Sequence, residues 1–237
     1  MGLRLYIVEG SHPCAAVEKA MQLKGLAYSV WEWPPPLHAP MQKLLFGART
    51  VPGLTIDRRE KVSGSRAIMR RLDELAPEPR LYPEGRPEVA EADRWGDEVL
   101  QPIARELIWT GFTHRPDAMI SYGQSSRLPM PAPVIRLSAP LITRAERRLN
   151  RTGDEIAGRR LKELPGHVAR VDGWLAGGTL GGAEHPNAAD LQILSTINLI
   201  ATFEDARPAL DGSRALEAAT ALFGALPGRL PAGAIPA

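Results

Sequence analysis

The chain has one cysteine among its 237 residues, Cys14, so no intramolecular disulfide can form and no all-cysteine zinc cluster can be built. It also carries almost no net charge. Its 29 basic and 27 acidic residues leave a formal surplus of +2, too little to steer nucleic acid or an anionic membrane surface. Long apolar runs are missing too. The longest, Leu191 to Phe203, is interrupted by Gln192, Ser195, Thr196 and Asn198, and is shorter than a bilayer span. The first ten residues alternate around Arg4 and Glu9 and lack the apolar centre of a signal peptide. His38, His114 and His167 show no ligand spacing to one another or to carboxylates, so no metal is expected. These absences predict a soluble, cytoplasmic protein with no nucleic-acid or membrane partner.

Hydrophobic residues make up 44% and charged residues 24%, ordinary values for a globular protein large enough for two modest domains. Leu3 to Val8 alternates as a strand and is stopped by Gly10-Ser11-His12-Pro13. Val17, Ala20, Met21 and Lys24 then fall at helical spacing up to Gly25. Ala27 to Trp33 reads as a second strand closed by Pro34-Pro35-Pro36, and strand–helix–strand at this spacing argues a parallel βαβ unit. A short helix over Pro40 to Gly47 follows, then strands at Val51–Ile56 and Lys61–Ser63 around a polar turn. A helix from Ser65 carries Ile68, Met69, Leu72 and Leu75 inward, with Arg66, Arg70 and Asp73 outward. Pro77 to Pro87 has the composition of a linker.

Beyond the linker the pattern is helical: Pro87 to Phe112 with a kink or break at Pro102, Leu141 to Leu149, Ile156 to Leu175, Ala188 to Phe203 and Leu216 to Phe223. His114 to Pro140 is expected to be mostly loop, and the Pro/Gly/Ala tail to be disordered. Ala188–Phe203 is apolar on nearly every side and is therefore expected at the centre of the bundle. Asn187 with Asp190 three residues on gives it a capping-box start.

Three short segments carry chemistry. Gly10-Ser11-His12-Pro13-Cys14 opens a helix directly after a strand, where unpaired N–H groups and the helix dipole favour an anion. If that anion is a thiolate, the Ser11 hydroxyl can donate to it; otherwise Ser11 is simply the N-cap that serine makes well. Cys14 lies in the first turn, where a thiolate can be stabilised, although a free cysteine is more often buried and inert. Thr50-Val51-Pro52-Gly53-Leu54 leads into the third strand, and Ser63-Gly64-Ser65-Arg66 begins a helix whose first N–H groups can hold a carboxylate.

In their order and spacing these segments resemble the glutathione S-transferase family: a thioredoxin-like βαβ-α-ββα domain followed by an all-helical domain. The resemblance implies an α/β plus all-α architecture, with a glutathione-binding domain over residues 1–78 and a helical domain over residues 87–230. It implies a cis Val51–Pro52 bond, with the Val51 backbone pairing with glutathione's cysteinyl part. It places the γ-glutamyl carboxylate at Ser65. Gly64 stands where relatives have Glu or Gln, and Thr50 where many have Lys, so Arg49 or Arg66 is a candidate replacement charge. Ser11 occupies the position of the first cysteine of the thioredoxin-like Cys-x-x-Cys, which excludes dithiol exchange. Trp109, Phe112 and Tyr122 would line the acceptor pocket.

The function that follows is conjugation of glutathione, or a related thiol, to a small hydrophobic electrophile by a homodimeric, detoxification-type transferase. Ser11 would stabilise the thiolate, with glutathione as co-substrate and no metal. Two alternatives stand beside it: a non-catalytic binding or scaffold protein that retains the fold, and a one-cysteine thiol transferase using Cys14.

Overall fold

The computed structural model describes residues 1–34, 37–128 and 130–236; Pro35 and Pro36, read above as ending the second strand, lie outside them. Four strands form one sheet in the order β2-β1-β3-β4, with β1 at Leu3–Ile7, β2 at Tyr28–Glu32, β3 at Gly53–Ile56 and β4 at Glu60–Ser63. β1 pairs parallel to β2, Leu5 opposite Val30, and antiparallel to β3, Leu5 opposite Leu54. The parallel pair needs a crossover, and helix α1 (His12–Leu23) supplies it. Its Val17, Ala20 and Met21 are fully buried, as their spacing predicts. The short helix α2 (His38–Phe46) precedes β3, and α3 (Ser65–Leu75) follows β4. This is a thioredoxin-like domain.

The polar face of α3 is partly covered. Asp73 accepts the backbone N–H groups of Leu81 and Tyr82, both at 2.9 Å, and pairs with the buried Lys24 Nζ at 2.7 Å. Arg66 Nε bonds Asp93 at 2.9 Å, and Arg70 stacks over the Tyr82 ring. The outward expectation holds for Arg70, which is exposed, and fails for Asp73, covered by the returning proline-rich segment, and for Arg66, drawn to Asp93. Lys24 completes the clasp by donating to the Ala76 and Pro79 carbonyls at 2.6 and 2.9 Å.

The helical region begins with α4 (Pro87–Trp95), a wider π-type turn over Gly96–Leu100, and α5 (Gln101–His114). Where a kink or break is expected at Pro102 the helical turns continue without interruption, and the wide turn stands just before the proline. A short helix, α6 (Met119–Tyr122), leads to α7 (Ala132–Leu149) and α8 (Asp154–Ala176).

Helix α7 corrects the loop expected up to Pro140. Its inner face, Ile135, Ala139, Ile142 and Thr143, keeps helical spacing through that proline. Pro133 falls in the first turn, where its missing N–H costs nothing, and Pro140 removes one internal bond. Leu137 and Leu141 are exposed on the outer face, which blurs the amphipathic signal.

All thirteen residues of α9 (Ala188–Ile200) are buried, and the helix packs against α1, joining both halves in one apolar core. Its capping box is present: Asn187 Oδ1 accepts from Ala189 and Asp190, while Asp190 accepts Asn187 N at 3.0 Å. The same carboxylate grips the Gly181 and Gly182 N–H groups at 2.9 and 2.7 Å. The chain continues through α10 (Arg207–Leu210) and α11 (Arg214–Phe223).

The described part of the tail is packed, not disordered. Leu230 is fully buried, pairs with Phe203, and sits where a Cβ on Gly111 of α5 would come within 2.3 Å of its side chain. Glu204 and Asp205 accept the N–H groups of Ala232, Gly233 and Ile235. No helix of the described residues is long and apolar enough to cross a membrane.

Candidate functional site

A cavity of about 450 Å³ opens between the C-terminal ends of β1 and β2 and the helical region. Strand β1 runs out at Ile7, and the chain turns through Gly10 (φ +76°) so that Ser11 stands as N-cap of α1 on the cavity wall. Its hydroxyl makes no capping bond to the helix, so the plain N-cap reading does not account for it.

His12 and Pro13 line the wall beside Ser11; Cys14 does not. Cys14 is buried within the core, and burial pushes its thiol up to about 12 although the Ser11 hydroxyl and the Val8 backbone favour the thiolate. A thiolate at Cys14 is thus opposed by its surroundings. His12 is buried with no partner for Nε2. Desolvation, and secondarily the charge of Arg105, hold it well below the usual imidazole value of 6.5, so it is neutral.

The Val51–Pro52 bond is cis. Ladder pairing of β3 with β1 stops at Gly53, so Val51 lies beyond the sheet's own bonds and reaches the cavity with Arg49 and Thr50. Pro52 is buried behind it and accepts Gly64 N at 3.0 Å. Gly64 adopts φ +89°, ψ 141°, a conformation in which a side chain is strained, which suits glycine at this helix start. Ser65 is the buried first residue of α3, and neither it nor Gly64 lines the cavity. Arg66 is committed to Asp93, and of the two arginines Arg49 reaches the wall.

The opposite wall is one face of α5. Arg105, Ile108, Trp109 and Phe112 recur at i, i+3, i+4 and i+7. The Trp109 and Phe112 rings meet edge to face with centroids 5.7 Å apart, and Phe112 meets Tyr122 at 5.1 Å. Tyr122 is held by Thr202 at 2.6 Å. Ile135, Ile142 and Glu146 of α7 close the far side.

The acids on the wall are engaged. Glu32, at the end of β2, accepts the Ser126 hydroxyl and Arg127 N, and Glu146 faces His38 at 3.8 Å and Asn150 at 3.3 Å. Burial, then the neighbouring Glu32 and Glu18, raise Glu9 above the usual carboxylate value.

The structure therefore brings Ser11, Arg49, Val51, Trp109 and Phe112 to one cavity and leaves Cys14, Pro52, Gly64 and Ser65 off its wall. Sequence reasoning missed Arg105 and Ile108, which the helical spacing to Trp109 and Phe112 would have found. It also missed Ile135, Ile142 and Glu146, hidden in the segment read as loop. A second, more open groove of about 600 Å³, lined by Arg144, Arg147, Arg148 and Arg151, contains no residue of the sequence motifs. Among the described residues no group of three or more His, Cys, Asp or Glu is placed to hold a metal ion.

A thioredoxin-like sheet domain, a cis proline at its edge and a helical region facing it across a cavity define the glutathione-transferase fold. Residues 5–80 match the family model of the glutathione S-transferase N-terminal domain. Solved structures of the same fold include FzlA from C. crescentus, 17% identical over 100% of this chain and 96% of that one, with a TM-score of 0.64. The β-etherase LigF from Sphingobium sp. strain SYK-6 is 17% identical over 92% and 98%, with a TM-score of 0.61. Glutaredoxin 2 from Salmonella typhimurium, in complex with glutathione, is 14% identical over 94% and 96%, with a TM-score of 0.54. Comparison with curated protein sequences finds no match.

Proposed function

We propose that this protein is a glutathione-transferase-type enzyme that joins the thiol of glutathione, or a related thiol, to a small electrophile with an apolar body. The observation that carries the reading is the Ser11 hydroxyl, which makes no capping bond to its helix and stands on the wall of a cavity whose other side is Trp109 and Phe112. Ser11 donates to the bound sulfur, and the N-terminus of α1 adds the positive end of its dipole. Lowering the thiol by one pKa unit takes about 1.4 kcal/mol, within reach of one hydroxyl and a dipole. The thiol proton leaves to solvent, the sulfur forms its bond to the electrophilic carbon, and the leaving group departs with its electron pair. Orientation in the cavity supplies the rest of the rate.

Val51 offers its backbone to the cysteinyl part, with residues 1–78 as the thiol-binding domain and residues 87–230 as the acceptor side. The γ-glutamyl carboxylate lies at the start of α3, at Ser65, or beside Arg49. The enzyme works as a homodimer in the cytoplasm. The test is conjugation of glutathione to 1-chloro-2,4-dinitrobenzene. Ser11→Ala is expected to lower kcat/KM about tenfold, the equivalent of 1.4 kcal/mol; an unchanged rate removes Ser11 from the mechanism.

The non-catalytic reading has one observation in its favour: Gly64 replaces the acidic or amide partner, and Ser65 lies off the cavity wall. It predicts an apolar cleft without thiol affinity.

A further inference from the structure

Arg105 is the one cation on the α5 face of the cavity, surrounded there by Ile108, Trp109 and Phe112. Among the described residues its guanidinium makes one hydrogen bond, from Nη1 to the neutral Gln101 amide at 3.2 Å, and no carboxylate lies within 4 Å of it. The acids whose charge reaches it, Asp97 and Glu106, are bound elsewhere: Asp97 accepts from Gln192 at 3.2 Å, and Glu106 is held by Arg160 at 2.7 Å. The other titratable group beside it is His12, which is neutral. The cavity's own acids, Glu9, Glu32 and Glu146, face Arg127, Ser126 and His38 instead. A guanidinium has five N–H donors in a fork that matches a carboxylate, and here most of them are unused in a largely apolar chamber. Half-buried arginines are usually paired, because desolvation without a counter-charge is unfavourable.

We infer that Arg105 receives an anionic group, a carboxylate, of the second substrate, so that the preferred electrophiles are aryl or alkyl acids and not neutral hydrocarbons. The carboxylate sits on Arg105, while the apolar body lies along Trp109 and Phe112. This deepens the transferase reading and rests on it for the word substrate. The anion selectivity itself is measurable without any thiol.

The experiment is titration calorimetry at pH 7.5 with 4-phenylbutyrate and its neutral counterpart 4-phenylbutyramide, in the absence of glutathione. A charge-assisted bond in a partly dry site is expected to make the carboxylate bind about tenfold or more tightly than the amide. Arg105→Met should bring the two within about twofold by weakening the acid alone, and Arg105→Lys should retain part of the preference. Equal binding of the two probes, no binding of the acid, or a preference that survives Arg105→Met in a variant of unchanged melting temperature would each overturn the inference. So would displacement of the acid by saturating glutathione, which would assign Arg105 to the tripeptide. Failure of the transferase reading shows separately, as absent glutathione binding with the carboxylate preference intact.

Discussion

The carboxylate of Glu32, at the end of the edge strand β2, accepts the backbone N–H of Arg127 at 2.8 Å across 95 positions of chain. Its second oxygen takes the Ser126 hydroxyl. The Arg127 guanidinium in turn reaches Glu18 at 3.6 Å and Glu9 at 3.9 Å. One carboxylate thus fastens the loop after α6 to the sheet and closes the cavity along the side that carries Gly123, Ser126 and Leu128.

Glu32→Ala is expected to release this loop. The loss of two hydrogen bonds to a charged, buried acceptor should cost about 1.5–3 kcal/mol, partly recovered by solvation of the freed N–H. Urea denaturation reads the stability, and limited proteolysis should show faster cleavage between residues 123 and 128. An unchanged cleavage rate would mean that the loop is held by its apolar contacts alone.

The Lys24–Asp73 pair predicts a larger effect. The Lys24 side chain is fully buried, and its ammonium meets Asp73 and two carbonyls. Asp73→Ala leaves that charge without its counter-ion and frees the N–H groups of Leu81 and Tyr82, so a loss of about 3–5 kcal/mol is expected by chemical denaturation. Lys24→Met, which removes the charge with its solvation demand, should cost less. The reverse order would show that the clasp works through carbonyl contacts more than through charge.

His12 makes stability depend on pH. Its folded-state value lies well below 6.5, so the unfolded chain takes up a proton first as the pH falls. Stability is therefore present above about pH 7 and is lost as the pH drops through 6.5 toward the lower folded value, at up to about 1.4 kcal/mol per pH unit. The difference in stability between pH 7.5 and 5.5 should be at least about 1 kcal/mol larger for the native protein than for His12→Gln. Equal pH profiles would contradict a neutral, buried imidazole.

Much of this was legible in the sequence where one local signal decided the outcome. The alternation of Leu3, Leu5 and Ile7, the all-apolar α9 and the Asn187/Asp190 pair each fix an element through its own period or cap. The cavity wall was legible where it lies on those elements, at Ser11, Val51, Trp109 and Phe112. It was hidden where proline masked a helix, so that Ile135, Ile142 and Glu146 of α7 vanished into an expected loop. Long-range polar bonds were equally hidden. Nothing in the spacing of Asp73, Glu204 or Asp205 says that their carboxylates collect backbone N–H groups from distant segments, because such partners depend on how the chain returns. Cys14 shows the same limit: its helix-start position favours a thiolate, and only the packing around it reveals the burial that opposes one.

The most direct measurement is a thermal-shift titration with reduced glutathione on the native protein, Ser11→Ala and Ser65→Ala. The account predicts a rise in melting temperature that corresponds to about 2.7 kcal/mol at a hundred times the dissociation constant. That rise should survive Ser11→Ala with reduced size; its loss in Ser65→Ala would assign the γ-glutamyl carboxylate to Ser65, and its retention would assign that carboxylate to Arg49. No shift of the native protein at millimolar glutathione would contradict the account and leave the non-catalytic reading of the fold in its place.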